Sequence, residues 1–301
     1  MTDSPFSKHI PKLQVAWDQT SLQEALFCPR RYQYRIIEGW TSKIEAVDLT
    51  FGIMYHAALE VYDKALAGGK SWEEAQDLAL QKVLSDSHGW DSDMPEKNRF
   101  TLIRSVVWYT EHWQNDAFPT IILPSGVPAV ELSFRIELPL VAPGGDKYLL
   151  CGHLDGLVKN PGTQQDMVRE RKTTKRQLNQ KYFDGFSPDT QVNVYTMAGN
   201  IALRAPTEGV LIDACQTGVN FSRFSRGISL RTPAQVTEFL SDLTIHLRQF
   251  EEYASEEYWP MNWRNCWSCH FRGICSKDPE ARKSWLEADY QKRPWNPLES
   301  R

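Results

Sequence analysis

Phe51, Tyr55, Ala58 and Tyr62 recur at steps of three and four residues, which predicts a helix over about 51–66 with one apolar face, ended by Gly68-Gly69. Upstream, Ser21 and Glu24 have the spacing of a capping box, with Leu22, Ala25 and Leu26 behind them. That run ends at Cys28-Pro29, since proline disfavours helix in the residue before it. Ser71 with Glu74 predicts a third helix, and Pro95 a fourth through Asp116, so the first 116 residues read as mostly helical. Beyond them the period falls to two. Val130 to Leu140 alternates as a strand, Pro143-Gly144-Gly145-Asp146 turns, and Tyr148 to Lys159 returns. Further strands are expected near Val168 to Thr173 and from Gly209 to Phe221. Between them Ser187-Pro188 opens a helix to about Leu203, and Thr232-Pro233 opens a long one to about Ser255. Strands interleaved with helices predict an α/β fold with an N-terminal helical part.

Composition narrows this picture. The chain has 301 residues, 41% hydrophobic and 24% charged, the balance of an ordinary globular protein with a sizeable core. Met1 to Ile10 mixes Asp3, Lys8 and His9 with small residues, and no window nears eighteen consecutive apolar positions. The expectation is a cytoplasmic protein with no membrane span. A net charge of −4 gives no overall attraction to nucleic acid, so such binding would need a local patch. One runs from Arg169 to Lys181, where Glu170 is the single acid among six Lys or Arg.

Glu170 and Lys172 lie two apart on a predicted strand and therefore leave the same face, and Asp155 lies on the strand before. Two carboxylates on neighbouring strands can hold a hard divalent cation, with an ammonium beside it to steady an attacking water or a scissile phosphate. Gly52 and His56 share a helical stripe, as do Gln191 and Tyr195, which would bring an imidazole, an amide and a phenol to the same centre. The cysteines divide differently. Cys151 and Cys215 sit in apolar runs as core packing, whereas Cys266, Cys269 and Cys275 cluster near the C-terminus and Cys28 stands alone, 238 residues before Cys266. Four thiolates suit zinc and an iron–sulfur centre alike, although structural zinc ligands usually come in two close pairs. A clip over so long a loop would tie the N-terminal segment to the C-terminal one.

The ordered set Gly52-Ile53-Met54-Tyr55-His56, Gly152-His153-Leu154-Asp155, Glu170-Arg171-Lys172-Thr173 and Gln191-Val192-Asn193-Val194-Tyr195 resembles the PD-(D/E)XK nuclease superfamily, in particular its RecB-like exonucleases. Cys28-Pro29-Arg30-Arg31 ahead of the core and three cysteines after it are similar to the AddB and CRISPR-associated four-cysteine branch. The resemblance implies a restriction-endonuclease-like core in one nuclease domain over 20–278, with tails at 1–19 and 279–301. Its helical part would be about 51–116, its α/β core about 127–255, and its cluster segment 259–278 together with Cys28. It also implies that His56, Asp155, Glu170 and the backbone carbonyl of Arg171 ligate Mg2+ or Mn2+. Lys172 would orient or activate the water, Gln191 and Tyr195 would position DNA and catalytic groups, and Glu131 would support them. Cys28, Cys266, Cys269 and Cys275 would hold a [4Fe-4S] cluster, with Zn2+ as the alternative. The implied activity is a Mg2+- or Mn2+-dependent DNA exonuclease acting on single strands or ends in recombination, repair or DNA processing, beside helicase or recombination proteins. A binding subunit with little catalysis of its own is the other reading.

With Glu170 facing the metal, Arg169, Lys175, Arg176 and Lys181 would border the cleft and meet phosphates, with Arg223 and Arg226 extending that surface. Arg169 and Arg171 stand on the face opposite Glu170, where a central strand is usually apolar. That predicts either cover by side-chain stems or a place near the sheet edge. Trp259, Trp263 and Trp267 crowd the cysteines and read first as a hydrophobic shell, second as base-stacking platforms.

Overall fold

The computed structural model describes residues 4–44 and 46–299. The chain runs through β1 (Ala16–Trp17), α1 (Gln19–Phe27), α2 (Pro29–Tyr32) with a π-helical turn after it, β2 (Trp40–Ser42), α3 (Val47–Ala67), α4 (Trp72–Asp86) and α5 (Arg99–His112). Then follow β3 (Val130–Val141), β4 (Lys147–Lys159), β5 (Asp166–Thr174), α6 (Gln180–Asp184), α7 (Thr190–Leu203), β6 (Gly209–Thr217) and β7 (Ser222–Leu230). The last elements are α8 (Pro233–Ser255), α9 (Arg272–Cys275), α10 (Arg282–Asp289) and β8 (Tyr290–Lys292). The described residues divide into two compact units, one from 4–44, 133–152 and 237–299, the other from 46–132 and 153–236.

The second unit is a mixed sheet flanked by helices. The end of β4 pairs antiparallel with β5, β5 parallel with β6, and β6 antiparallel with β7. All nine residues of β6 are buried, as expected of a strand covered on both faces. On one face, Phe51, Tyr55 and Leu59 of α3 join Ala79 and Val83 of α4, Leu102 and Val106 of α5, and Cys215 of β6 in a single apolar core. On the other face lies α7. A Cβ at Gly199 would sit 2.7 Å from a methyl of Val168, so glycine there lets α7 approach β5 closely.

In the first unit, β1 runs parallel to the start of β4, with Ala16 opposite Leu149 and Trp17 opposite Leu150. Trp17 stacks on Tyr32 at 5.4 Å and on Phe250 of α8 at 5.1 Å. At the other end, β8 pairs antiparallel with β2, and Leu286 of α10 is buried with Tyr34, Trp40, Phe271 and Ile274. The expected tails are therefore largely folded structure. Leu13 to Trp17 and α10 to β8 are ordered by burial and pairing, while residues 1–3 and 300–301 of those predicted tails lie outside the described residues.

Several boundaries differ from expectation, each for a local reason. Helix α1 is capped by Asp18, whose carboxylate accepts from the Ser21 N–H at 3.0 Å, so Ser21 is its third helical residue and not the cap. Glu24 instead is buried and salt-bridged to Arg31 and Arg35. Helix α5 starts at Arg99 behind an Asn98 cap, and α7 behind Asp189. The strand expected to reach Phe221 ends at Thr217, and β7 was not anticipated. Its pattern is inverted: Ser222 and Ser229 are buried while Ile228 and Leu230 are exposed, so apolar periodicity could not reveal it.

Candidate active site

The geometry of the site follows from the two-residue period of β5. Val168, Glu170 and Lys172 point toward α7, whereas Arg169 and Arg171 point toward α3 and α5. Glu170 Oε1 accepts from Lys172 Nζ at 2.6 Å and from Gln191 Nε2 at 3.0 Å, and Lys172 also donates to Gln191 Oε1 at 2.8 Å. The amide of Gln191 thus closes a triangle that fixes the acid and the amine together. Tyr195, one turn further along α7, is half-buried. The other oxygen of Glu170, Oε2, is buried with no hydrogen-bond partner.

Asp155 belongs to the same face. The β4–β5 ladder pairs Gly156 with Arg169, so the next position in register sets Asp155 opposite Glu170, and facing residues of an antiparallel pair project to one side. One oxygen of Asp155 accepts from the backbone N–H of Arg171 at 2.7 Å, and the other lies 3.3 Å from Nδ1 of His56 on α3. In a strand the N–H and C=O of one residue leave the same edge, so the Arg171 carbonyl is directed to the side where Asp155 sits. Glu131, at the start of β3, completes a group with His56 and Asp155 in which one ligand atom from each lies within 4.8 Å of the others. Glu131 has a φ of 52°, a left-handed conformation that costs about 1–2 kcal/mol away from glycine. Strain of this kind is concentrated where function requires a particular side-chain direction.

The charges on this face are incompletely balanced. Burial, and next the neighbouring charge of Asp155, push the Glu170 carboxyl up to about 7 in spite of Lys172. Burial acts on Asp155 too, but His56 and the Arg171 N–H outweigh it and hold that carboxyl below the ordinary range. Burial would lower His56 and Lys172, yet Asp155 raises the one and Glu170 the other, so Lys172 is an ammonium. A buried site with a strained Glu131, a carboxyl raised by burial and a neighbouring acid, and an unpartnered carboxylate oxygen fits a divalent cation, which takes oxygen ligands and supplies the missing positive charge.

On the opposite face every guanidinium has a carboxylate partner, although Asp213 Oδ1 and the Nε atoms of Arg169, Arg171 and Arg226 make no hydrogen bond. Asp63 of α3 pairs with both Arg169 and Arg171, the latter at 2.7 Å. Arg171 reaches the Tyr109 hydroxyl at 3.3 Å, which donates to Asp213 at 2.5 Å. Arg226 binds Asp213 at 2.9 Å and Asp116 at 2.6 Å, with its guanidinium 3.7 Å above the Trp113 ring. This corrects two expectations. Arg169 and Arg226 are not phosphate-facing cations, because both side chains are buried and committed to aspartates. The arginines also do not mark a sheet edge, since β5 lies between β4 and β6. Lys175, Arg176, Lys181 and Arg223 are exposed, as charges that meet a polyanion must be. At Gly52, on the same stripe of α3 as His56, an added Cβ would meet only Thr173 Oγ1 at an ordinary 3.8 Å, so the site does not require glycine there.

Asp63, Tyr109 and Asp213 were missed by sequence reasoning. Asp63 lies seven residues after His56, on the same stripe of α3, and that spacing was the available signal. It fastens the helix that carries His56 to the strand whose backbone holds Asp155.

In the first unit the four cysteines line one pocket with Phe27, Arg31, Asn262 and Asn265. The Asn262 N–H donates to Cys28 Sγ at 3.3 Å, and the side-chain amides of Asn262 and Asn265 donate to the Phe27 carbonyl at 3.1 and 2.6 Å. Burial raises the Cys269 thiol and pushes Cys275 up to about 11. Of the expected tryptophan shell only Trp259 is buried; Trp263 and Trp267 are each 79% exposed. Cys151 and Cys215 are buried core residues.

The sequence model of the PD-(D/E)XK nuclease superfamily matches residues 16–276, and the chain belongs to that superfamily. No curated protein matches the chain. A solved structure described as "Crystal structure of SSO0001" is 15% identical, covers 87% of this chain and 86% of that chain, and superposes with a TM-score of 0.34. Among the described residues no helix is long and apolar enough to cross a membrane.

Proposed function

We propose that the protein is a Mg2+- or Mn2+-dependent deoxyribonuclease that degrades DNA from ends or as single strands, in the cytoplasm, during recombination, repair or DNA processing. Helicase or recombination proteins are the partners this reading proposes. The observation that carries this reading is the buried, unpartnered Oε2 of Glu170 on the face that also bears Asp155 and Lys172. His56, Glu131, Asp155, Glu170 and the Arg171 carbonyl are the groups that would hold the cation. When bound, it supplies Lewis-acid stabilisation of phosphate charge and lowers the pKa of water. Lys172 stays protonated at neutral pH and offers its ammonium to the charge developing on the scissile phosphate. Gln191 keeps that ammonium in place, and Tyr195 on the same helix is assigned to positioning the strand.

The four cysteines, which line one pocket, would hold a [4Fe-4S] cluster, with Zn2+ as the alternative. The cluster would join Cys28 to the C-terminal loop and stabilise the first unit.

The test is degradation of linear, circular and single-stranded DNA with Mg2+, Mn2+ or EDTA. Metal-dependent loss of linear or single-stranded substrate, with closed circles spared and Asp155→Ala inert, supports the reading. A folded wild-type chain that binds DNA and cleaves none with any divalent ion overturns it in favour of a binding subunit. For the cluster, anaerobically purified protein should be brown, and Cys266→Ala colourless; stoichiometric zinc in a colourless wild type rejects it.

A further inference from the structure

The C-terminal segment that pattern alone leaves as a tail builds one wall of a second pocket, of about 440 Å³, within the size range of small-ligand sites. Pairing of β8 with β2 and burial of Leu286 against Tyr34 and Trp40 hold that wall in place. Four cations line the pocket: Arg30 after the first cysteine, Arg282 and Lys283 of α10, and Lys292 of β8. Three of them have neutral anchors. Arg30 donates to the Trp259 carbonyl at 2.7 Å, Arg282 to the carbonyls of Cys275 at 3.1 Å and Lys277 at 3.2 Å, and Lys292 to the Glu38 carbonyl. Among the described residues none of the four forms a salt bridge with a carboxylate. Glu38 and Glu287 also line the pocket, which leaves the lining with two positive charges in excess on a chain of net −4. One of those acids is already engaged: Glu38 accepts from Gln33 at 2.8 Å and from the Trp40 indole at 3.0 Å.

Cations pinned by carbonyls keep their full charge and are already positioned, which is how an anion site is organised before its ligand arrives. An isolated phosphate needs less room than this, and several cations around one open pocket suit the repeating phosphates of a strand. We propose that this pocket binds a phosphate-bearing nucleotide unit of a nucleic-acid strand, using residues separate from the metal-site set. This rests on the nuclease reading for the identity of the strand, and Arg282, bonded to the Cys275 carbonyl, links the pocket to the cysteine loop.

The experiment measures binding of a fluorescent single-stranded oligonucleotide by full-length protein in EDTA, so that cleavage does not interfere. Lys283 and Lys292 are exposed, so the Lys283→Glu/Lys292→Glu variant should fold, which its circular dichroism and melting curve check. It should bind at least tenfold more weakly, with a salt dependence shallower by about two ions. The Lys283→Gln/Lys292→Gln variant should fall between it and wild type. Inorganic pyrophosphate should displace the oligonucleotide from wild type and have little effect on the residual binding of the Glu variant. Unchanged oligonucleotide affinity and salt slope in a folded Glu variant overturn the proposal, even if pyrophosphate binds. Loss of binding in that variant from a protein that never cleaves DNA would sink the nuclease reading and leave this site standing.

Discussion

The two faces of β5 carry charges of similar density and opposite character. Toward α3 and α5, Arg169, Arg171 and Arg226 meet Asp63, Asp213 and Asp116, and the Tyr109 hydroxyl bridges them. Toward α7, the carboxylates of Asp155 and Glu170 outnumber the one fixed ammonium, that of Lys172. A buried charge is tolerated when something answers it. The first face is answered by protein and serves architecture; the second is left for a ligand to answer, and that difference separates residues that hold the fold from residues that act.

The largest expected effect tests the unanswered face. Asp155→Ala or Lys172→Ala should lower DNA cleavage by about a thousandfold or more, comparable to losing a key electrostatic group in other active sites. Asp155 and Lys172 are each paired, so thermal stability should fall modestly, and cleavage is compared on variants whose melting curves show them folded at the assay temperature. Cleavage within tenfold of wild type in either variant would erase the distinction between the faces.

Next comes the answered face. Asp63→Ala leaves two buried guanidiniums without their carboxylate, so unfolding free energy should drop by about 3–5 kcal/mol, read by urea titration. Asp63→Glu should recover part of that loss. A drop below about 1 kcal/mol would mean that the network is better solvated than its burial implies.

A smaller effect comes from pH. The Glu170 carboxyl is raised from 4.5 to about 7, so in metal-free protein the stability it contributes is complete below 4.5 and lost as pH rises through 7. His56, also raised, adds a loss in the same direction. The melting temperature without metal should fall by several degrees between pH 5 and 8, and the fall should be shallower in Glu170→Gln. Adding Mn2+ at pH 8 should restore the wild type more than the variant. Parallel curves for the two proteins would show that Glu170 is not the group that titrates.

Much of this contrast was legible beforehand because it is short-range. The alternation in Glu170-Arg171-Lys172 fixes which side chains share a face, and the three-and-four spacing around His56 places the imidazole on an apolar helix. What could not be read was long-range compensation. Nothing near Arg169 in the sequence announces Asp63, 106 residues away, so the sequence alone makes a buried ion pair read as a basic rim. Strand β7 and the C-terminal wall were missed for a related reason. Their order comes from pairing with β6 and β2, not from an apolar rhythm of their own.

That error makes the smallest prediction the most discriminating. Lys175 is exposed and only loosely associated with Asp48, at 3.9 Å, whereas Arg226 is enclosed by Asp116, Asp213 and the Trp113 ring. If the exposed cations alone meet the phosphates, Lys175→Glu should raise the KM for single-stranded DNA a few-fold at low salt and reduce the salt slope by about one ion. Arg226→Lys keeps the charge but loses the bidentate fork, so it should lower the melting temperature while leaving the salt slope of KM untouched. The two slopes, measured side by side between low and physiological salt, decide the matter. A change in slope for Arg226→Lys with none for Lys175→Glu would return the buried arginine to the DNA surface and undo the division between the two faces of β5.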